Sequence, residues 1–150
     1  MIDPQQLAEG LEQIPFNAFL GVKTVVAEPG HFEVALPARP ELLNHVDSVH
    51  AVPITAPAEA ASGCAVASLL GDLFAEGYFS IARSLRVRYR RLAKGDLLAV
   101  PRLDRDVLDA AVQRVRAEGR ADFEVPVDVK DASGEVVAEV VVEWALRKGA

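Results

Sequence analysis

Asn44, His45, Asp47, Ser48 and His50 crowd one short polar stretch, and Glu59 follows nine residues after His50. The segment that holds Glu59, residues 53–74, is rich in alanine and predicts a buried helix. An isolated carboxylate is expensive to bury unless it is paired, protonated or put to use. A glutamate so placed has three readings. It can act as a general base or nucleophile, bond the free N–H groups of a distorted first turn, or pair with an arginine across a subunit contact. His50 reads either as a loop histidine bonding backbone or as a shaper of a catalytic loop, and Asn44 either as an Asx-turn or as an orienting amide. His45 and Asp47 read as solvated side chains. His45, Asp47 and His50 match no zinc spacing, so no metal is expected. Cys64 falls off the Glu59 face of the helix, has no histidine placed to activate it, and reads as a small core residue. No G-x-S-x-G occurs, which leaves a serine hydrolase unsupported.

These groups need elements to position them. Asp3 as N-cap, Pro4 at the first helical position and Gln6 predict a helix with Leu7, Leu11 and Ile14 on its apolar face, stopped by Pro15. Phe16, Phe19 and Leu20 are expected to plug the core. Strands are predicted over 22–27 and 31–37 around the turn Glu28-Pro29-Gly30. The central helix starts awkwardly. Pro53 suits a first turn, and Pro57 requires a later regular start, with Thr55 as cap, or a distorted turn. From Ala58 good helix runs to about Phe74, and Gly77 marks the exit. A strand over 80–92 alternates Ile81, Leu85, Val87 and Tyr89 against Ser84, Arg86, Arg88 and Arg90. Lys94-Gly95-Asp96 turns into a partner strand over 97–103. A short helix is predicted over 106–118, ended by Gly119. Residues 121–130 and 135–147 form a hairpin about Asp131-Ala132-Ser133-Gly134. Hairpin-connected strands and one long helix imply an antiparallel α+β fold in a single domain over 1–150.

Composition narrows the class. The chain has 150 residues, of which 51% are hydrophobic, enough for one compact core. A formal charge of −6 argues against a nucleic-acid partner. With one cysteine, an internal disulfide or a cysteine-based zinc site is excluded, which fits a reducing compartment. The opening M-I-D-P-Q-Q has no basic then apolar run, so no signal peptide is expected. The apolar run 53–74 contains Glu59 and Asp72 and lacks aromatic or basic anchors, so it predicts a soluble core helix and no membrane partner.

The chain resembles the hot-dog fold of acyl-CoA thioesterases, in which an antiparallel sheet wraps a long central helix. The likeness is to the phenylacetyl-CoA-thioesterase-like branch, whose motif is N-x-x-G-x-x-H-x-G followed by Asp or Glu nine residues after the His. Asn44, His50 and Glu59 take those positions. The strand and turn L-R-V-R-Y-R-R-L-A-K-G-D-L-L-A and the hairpin V-K-D-A-S-G-E-V-V-A-E extend the resemblance over nearly the whole chain. There are departures: Asp47 replaces the loop Gly, Ala51 and Val52 stand where Gly residues follow the His, and Pro53 and Pro57 enter the helix start.

The resemblance implies hydrolysis of acyl-CoA thioesters without a cofactor, in the cytoplasm, by a homodimer or dimer of dimers with sites between subunits. Glu59 would be base or nucleophile. His50 and Asn44 would shape the catalytic loop. The backbone N–H of Val52, or of Ala51, would bind the thioester oxygen, since Pro53 has none. Arg86 and Arg88, with Arg90, would grip coenzyme A phosphates, unless they pair with acids such as Glu139 and Glu143. Two other readings remain: a non-catalytic hot-dog protein that binds acyl thioesters or serves assembly, and a dehydratase using Asp47 with His50.

Overall fold

The structure, a computed structural model, describes residues 1–149. Two short helices open the chain, α1 (Pro4–Gln13) and α2 (Pro15–Leu20), followed by β1 (Lys23–Glu28) and β2 (His31–Leu36). A 3-10 turn, Pro40–Leu42, leads through a loop into α3 (Thr55–Leu69), and α4 (Gly71–Ala75) follows. Then come β3 (Tyr78–Tyr89), β4 (Leu97–Pro101), α5 (Arg105–Glu118), β5 (Arg120–Lys130) and β6 (Val136–Lys148). The strands form one antiparallel sheet in the order β1-β2-β4-β5-β6-β3, and α3 contacts all six. This is the α+β hot-dog architecture.

Local chemistry accounts for most boundaries. Asp3 accepts from the N–H of Gln5, and Pro4 begins α1. Asp104 caps α5 by accepting from the N–H groups of Asp106 and Val107, and Gly119 ends it at φ 76°. In the β5–β6 turn the Asp131 carboxylate accepts from the N–H groups of Ser133 and Glu135, and Gly134 takes φ 83°. Alternation along β5 and β6 sends Phe123, Val125, Val127, Val140, Val142 and Trp144 inward, where all are buried.

The inner layer is α3 itself. Ala58, Ala61 and Ala65 are fully buried. Their small side chains bring the helix close to the sheet. At Gly63 a Cβ would stand 2.8 Å from Cη2 of Trp144, so the indole lies directly on the helix backbone. The Trp144 Nε1–H donates to Ser62 Oγ (3.1 Å), and that hydroxyl donates to the carbonyl of Glu59 (3.0 Å). At the far end, Ser68 Oγ donates to the Ala65 carbonyl and accepts from the N–H of Gly30, which pins the β1–β2 turn to the helix.

Four expectations need correction. Pro15 does more than stop α1: Ile14 is extended and Pro15 occupies the first position of α2, where its missing N–H is no loss. Of the three expected plugs only Leu20 enters the core, with Asn17 buried beside it; Phe16 and Phe19 are 62% and 70% exposed, because a six-residue helix turns just one side inward. The central helix begins at Thr55 and breaks at Leu70, where Gly71 leaves room for the backbone of Met1 and Ile2. Thr55 is inside it, its hydroxyl donating to the Val52 carbonyl, so it is no N-cap. Finally, a register shift between Ala82 and Ser84 reverses the alternation along β3. Ile81 pairs with Ala145 on the outer face, while Leu85 pairs with the inward Val142.

Gly63→Ala forces a methyl into the Trp144 ring, and overpacking of this kind costs about 1–3 kcal/mol. Urea unfolding should show a lower midpoint with an unchanged slope. The emission of Trp144, the chain's one tryptophan, should change in the folded state. An unaltered midpoint would mean that the ring does not rest on Gly63.

Candidate active site

The loop ahead of α3 is held by its own hydrogen bonds. Asn44 Oδ1 accepts from the N–H groups of Val46 and Ser48, and its Nδ2 donates to Ser48 Oγ. The Asn44 N–H donates to the Ser48 carbonyl, and Leu43 bridges Val49. Asn44 is therefore an Asx-turn that closes the loop, and its amide does not line the cleft described below. Asp47 has φ 56°, the left-handed region that glycine favours and aspartate tolerates. The replacement of glycine there leaves the turn in the conformation a glycine would take.

His50 sits at the exit of the loop. Its N–H donates to the Leu42 carbonyl, and its Nδ1 accepts from the N–H of Val52 at 3.2 Å. That bond occupies the N–H that the resemblance assigns to a substrate oxygen. Ala51 offers another: its N–H has no hydrogen-bond partner among the described residues, while its carbonyl accepts from the Tyr89 hydroxyl at 2.8 Å. In the next turn Thr55 and Ala56 donate to Val52 and Pro53, and Pro57 has no N–H. Among the described residues no side chain caps α3.

Glu59 lies just past the first turn of α3, half-buried on the wall of a cleft of about 300 Å³. Around it stand Phe16, Leu20, Val52, Pro53, Ala56 and Leu85, with Asn17 and Thr55 as the polar exceptions. No hydrogen bond or ion pair joins the carboxylate to another described residue. Burial raises its pKa above the ordinary carboxylate value. The thiol of Cys64 is pushed up to about 12, first by burial and then by the charge of Glu59, so it stays protonated and inert. Neither a capping role nor an arginine pair accounts for Glu59 within one chain.

The arginines of β3 take another course. Arg86 reaches across β6 to Glu124 with two bonds, 2.5 and 3.1 Å, and Arg90 bonds Glu139 through Nε and Nη2. Arg88 is exposed opposite Glu139 in the register and makes no ion pair among the described residues. All three project from the outer face, away from Glu59, so the grip on substrate expected of Arg86 and Arg88 is not assembled at this cleft. Phe16, Asn17, Leu20 and Leu85 line the cleft without having stood out in the sequence as site candidates. Phe16 and Leu85 carried a signal only as apolar side chains, and no spacing relates them to position 59. Among the described residues no cluster of His, Cys, Asp and Glu converges to hold a metal, and no helix is long and apolar enough to cross a membrane.

The family model described as Domain of unknown function (DUF4442) matches residues 8–146. No curated protein matches the chain. Among solved structures, a protein of unknown function from Pseudomonas aeruginosa, described as a probable thioesterase, is similar at 26% identity and a TM-score of 0.86. The match covers 99% of this chain and 97% of that one. The PaaI protein of the phenylacetic acid degradation operon of E. coli is 17% identical, with a TM-score of 0.72 over 98% and 94% of the two chains. A mutant thioesterase enzyme from Staphylococcus aureus is 12% identical, with a TM-score of 0.70 over 88% and 98%. The last two likenesses are of fold alone.

The buried carboxyl sets a pH dependence. Its folded pKa is raised, so the folded state binds the proton more tightly than the unfolded chain. Stability from this group is fully present below the unfolded value and is lost as pH rises through the folded one. Glu59→Gln removes that loss. Urea unfolding of both proteins across pH should show the variant gaining on the wild type as pH rises from 4.5. Parallel curves would contradict the burial of the charge.

Proposed function

The chain belongs to the DUF4442 family, and from its hot-dog fold and the cleft at Glu59 we propose a hydrolase of acyl-CoA thioesters. The observation that carries the reading is a half-buried, unpartnered carboxyl on the wall of a largely apolar cleft, at the N-terminal end of a central helix. The fold is shared with the probable thioesterase of Pseudomonas aeruginosa, which supports the same chemistry. Apolar walls suit an acyl chain. Desolvation makes the Glu59 carboxylate a stronger base, and a base of this kind contributes about 10²–10⁴-fold.

Glu59 takes a proton from water as the water oxygen attacks the thioester carbon. The carbonyl oxygen gains the electron pair and is met by a backbone N–H, from Ala51 or from Val52 once His50 lets it go. Collapse of the tetrahedral species breaks the C–S bond, and the thiolate leaves readily because a thiol has a pKa of about 8.5. The proton held by Glu59 returns to the thiolate, so water and thioester become carboxylic acid and free thiol. Direct attack by Glu59 would pass through an anhydride that water then opens. No cofactor enters.

Two copies complete the site in this reading. β3 is an edge strand of twelve residues, with one side unpaired, and Phe79, Ile81, Leu85 and Tyr89 are exposed along it. Pairing that edge with a second chain would cover them and close the cleft beside Leu85. A homodimer, or a dimer of dimers in the cytoplasm, follows. A second reading rests on the bond from Val52 N–H to His50: with that donor engaged, the protein would bind acyl thioesters without hydrolysing them.

Thiol release from a panel of acyl-CoAs separates the two. Wild type should release thiol, and Glu59→Gln should lower kcat by about 10²–10⁴-fold while still binding substrate. The acid limb of kcat/KM should fall above pH 4.5, because the working form is the carboxylate. Saturable binding with no thiol release by the wild type favours the binding protein. Undiminished turnover by the variant removes Glu59 from the chemistry.

A further inference from the structure

A second cleft, of about 310 Å³, opens where the end of α5 meets the starts of β5 and the end of β6. Four guanidiniums line it, those of Arg83, Arg114, Arg120 and Arg147, against two carboxylates, Glu118 and Asp122. On a chain of formal charge −6 this is a local excess of positive charge.

The pairing inside the cleft is uneven. Asp122 bonds both Arg83 (2.5 Å) and Arg147 (2.7 Å), and those bonds hold its carboxyl below the usual range. Arg147 is further fixed by the carbonyls of Ala121 and Leu146. Arg114 and Arg120 are exposed and make no ion pair or side-chain hydrogen bond among the described residues. Arg114 precedes Glu118 by one helical turn, in the weaker order for an ion pair, and none forms. Arg120 and Arg147 are direct partners in the β5–β6 register, so two like charges stand opposite one another on adjacent strands. The C-terminal end of α5 repels an anion, but Gly119 ties its N–H to Val115, and its own carbonyl accepts from Lys148.

We propose that this cleft binds a phosphate group, gripped by Arg114 and Arg120 with Arg147 as the fixed third donor. Guanidiniums match phosphate oxygens with paired, parallel N–H bonds, and a dianion between Arg120 and Arg147 turns their repulsion into attraction. The cleft volume is at the lower end of the roughly 300–1,000 Å³ of small-molecule pockets, which leaves room for what the phosphate is attached to. Two sources share this chemistry: the phosphorylated nucleotide of coenzyme A and free inorganic phosphate. The first rests on the hydrolase reading; the site itself does not.

Thermal unfolding of the full chain tests the site without turnover, since a ligand of the folded state raises Tm. Inorganic phosphate and adenosine 3′,5′-bisphosphate are each compared with sodium chloride at matched ionic strength, on wild type and on R114A/R120A. Both phosphates should raise the wild-type Tm beyond chloride, and the double variant should lose most of that rise. Its Tm in chloride should not fall, because neither arginine has an ion-pair partner among the described residues. If the bisphosphate acts at about tenfold lower concentration than inorganic phosphate, the source is the coenzyme. In that case the variant's KM for an acyl-CoA should rise by a similar factor with kcat unchanged, while an acyl-pantetheine is unaffected. Equal potency of the two assigns the site to the free ion. A wild-type response no larger than that to chloride, or an undiminished response in the double variant, overturns the proposal. A protein that answers to phosphate yet releases no thiol would refute the hydrolase reading alone.

Discussion

A helix that is apolar on every side has to be covered on every side. In α3 the residues are mostly Ala, Ser, Gly and Val, and Glu59 is the one charge. Small side chains give a helix little to bury per residue, so the stabilisation comes from close approach. The sheet must curl until all six strands touch the helix, and Trp144 must lie on Gly63 where any larger residue would hold it off. The hydrogen bonds from Trp144 to Ser62 and from Ser62 to the Glu59 carbonyl follow from that approach. They fix the backbone that carries the carboxyl. Position and burial of Glu59 are thus consequences of how the core is built.

The outer face obeys different physics. There the side chains are long and charged, and they pair across strands: Arg86 with Glu124, Arg90 with Glu139, Arg91 with Glu135. Exposed pairs of this kind contribute about 0–1 kcal/mol each, against about 1.5–3 kcal/mol for a fully buried Val or Leu. The outer layer therefore adds little to holding the sheet together, and it is free to vary in sign and spacing. Such freedom matters at the α5 end, where the arginines outnumber the acids. Nothing in the packing of the inner face dictates that imbalance.

Much of the fold was legible in the residues. The β5–β6 hairpin showed strict alternation and a turn with Asp and Gly at the needed positions. The Asp3-Pro4 start and the Gly119 stop are local chemistry, and local chemistry is what one sequence displays. The β3 register shift was not legible, because a bulge between Ala82 and Ser84 leaves no mark beyond an alternation that fails halfway. Nor was the role of α2. Leu20 and the two phenylalanines look equally apolar, and only the direction in which α2 leaves α1 decides which one is buried. At the site, Glu59 stood out because a lone charge in an apolar run is rare. The cleft around it did not, since Phe16 and Leu85 come from elements far apart in the chain. The bond from Val52 to the His50 ring was equally hidden, being set by one side-chain rotamer.

In the proposed hydrolase two demands on Glu59 pull in opposite directions. A base that activates water gains from a raised pKa, and burial supplies the rise. A carboxylate that is too deeply buried stays protonated at working pH and does no chemistry. The nearby end of α3 moderates this, because a helix N-terminus favours negative charge within about its first turn. Glu59 sits just beyond that turn, with no arginine or lysine among the described residues to hold it ionised and with the cleft still open to water on one side. Covering the exposed side of Leu85 would deepen the burial and raise the pKa further. Closure of the cleft and protonation of Glu59 are therefore coupled: in the proposed hydrolase, whatever covers the cleft makes the carboxylate a stronger base and at the same time leaves less of it ionised.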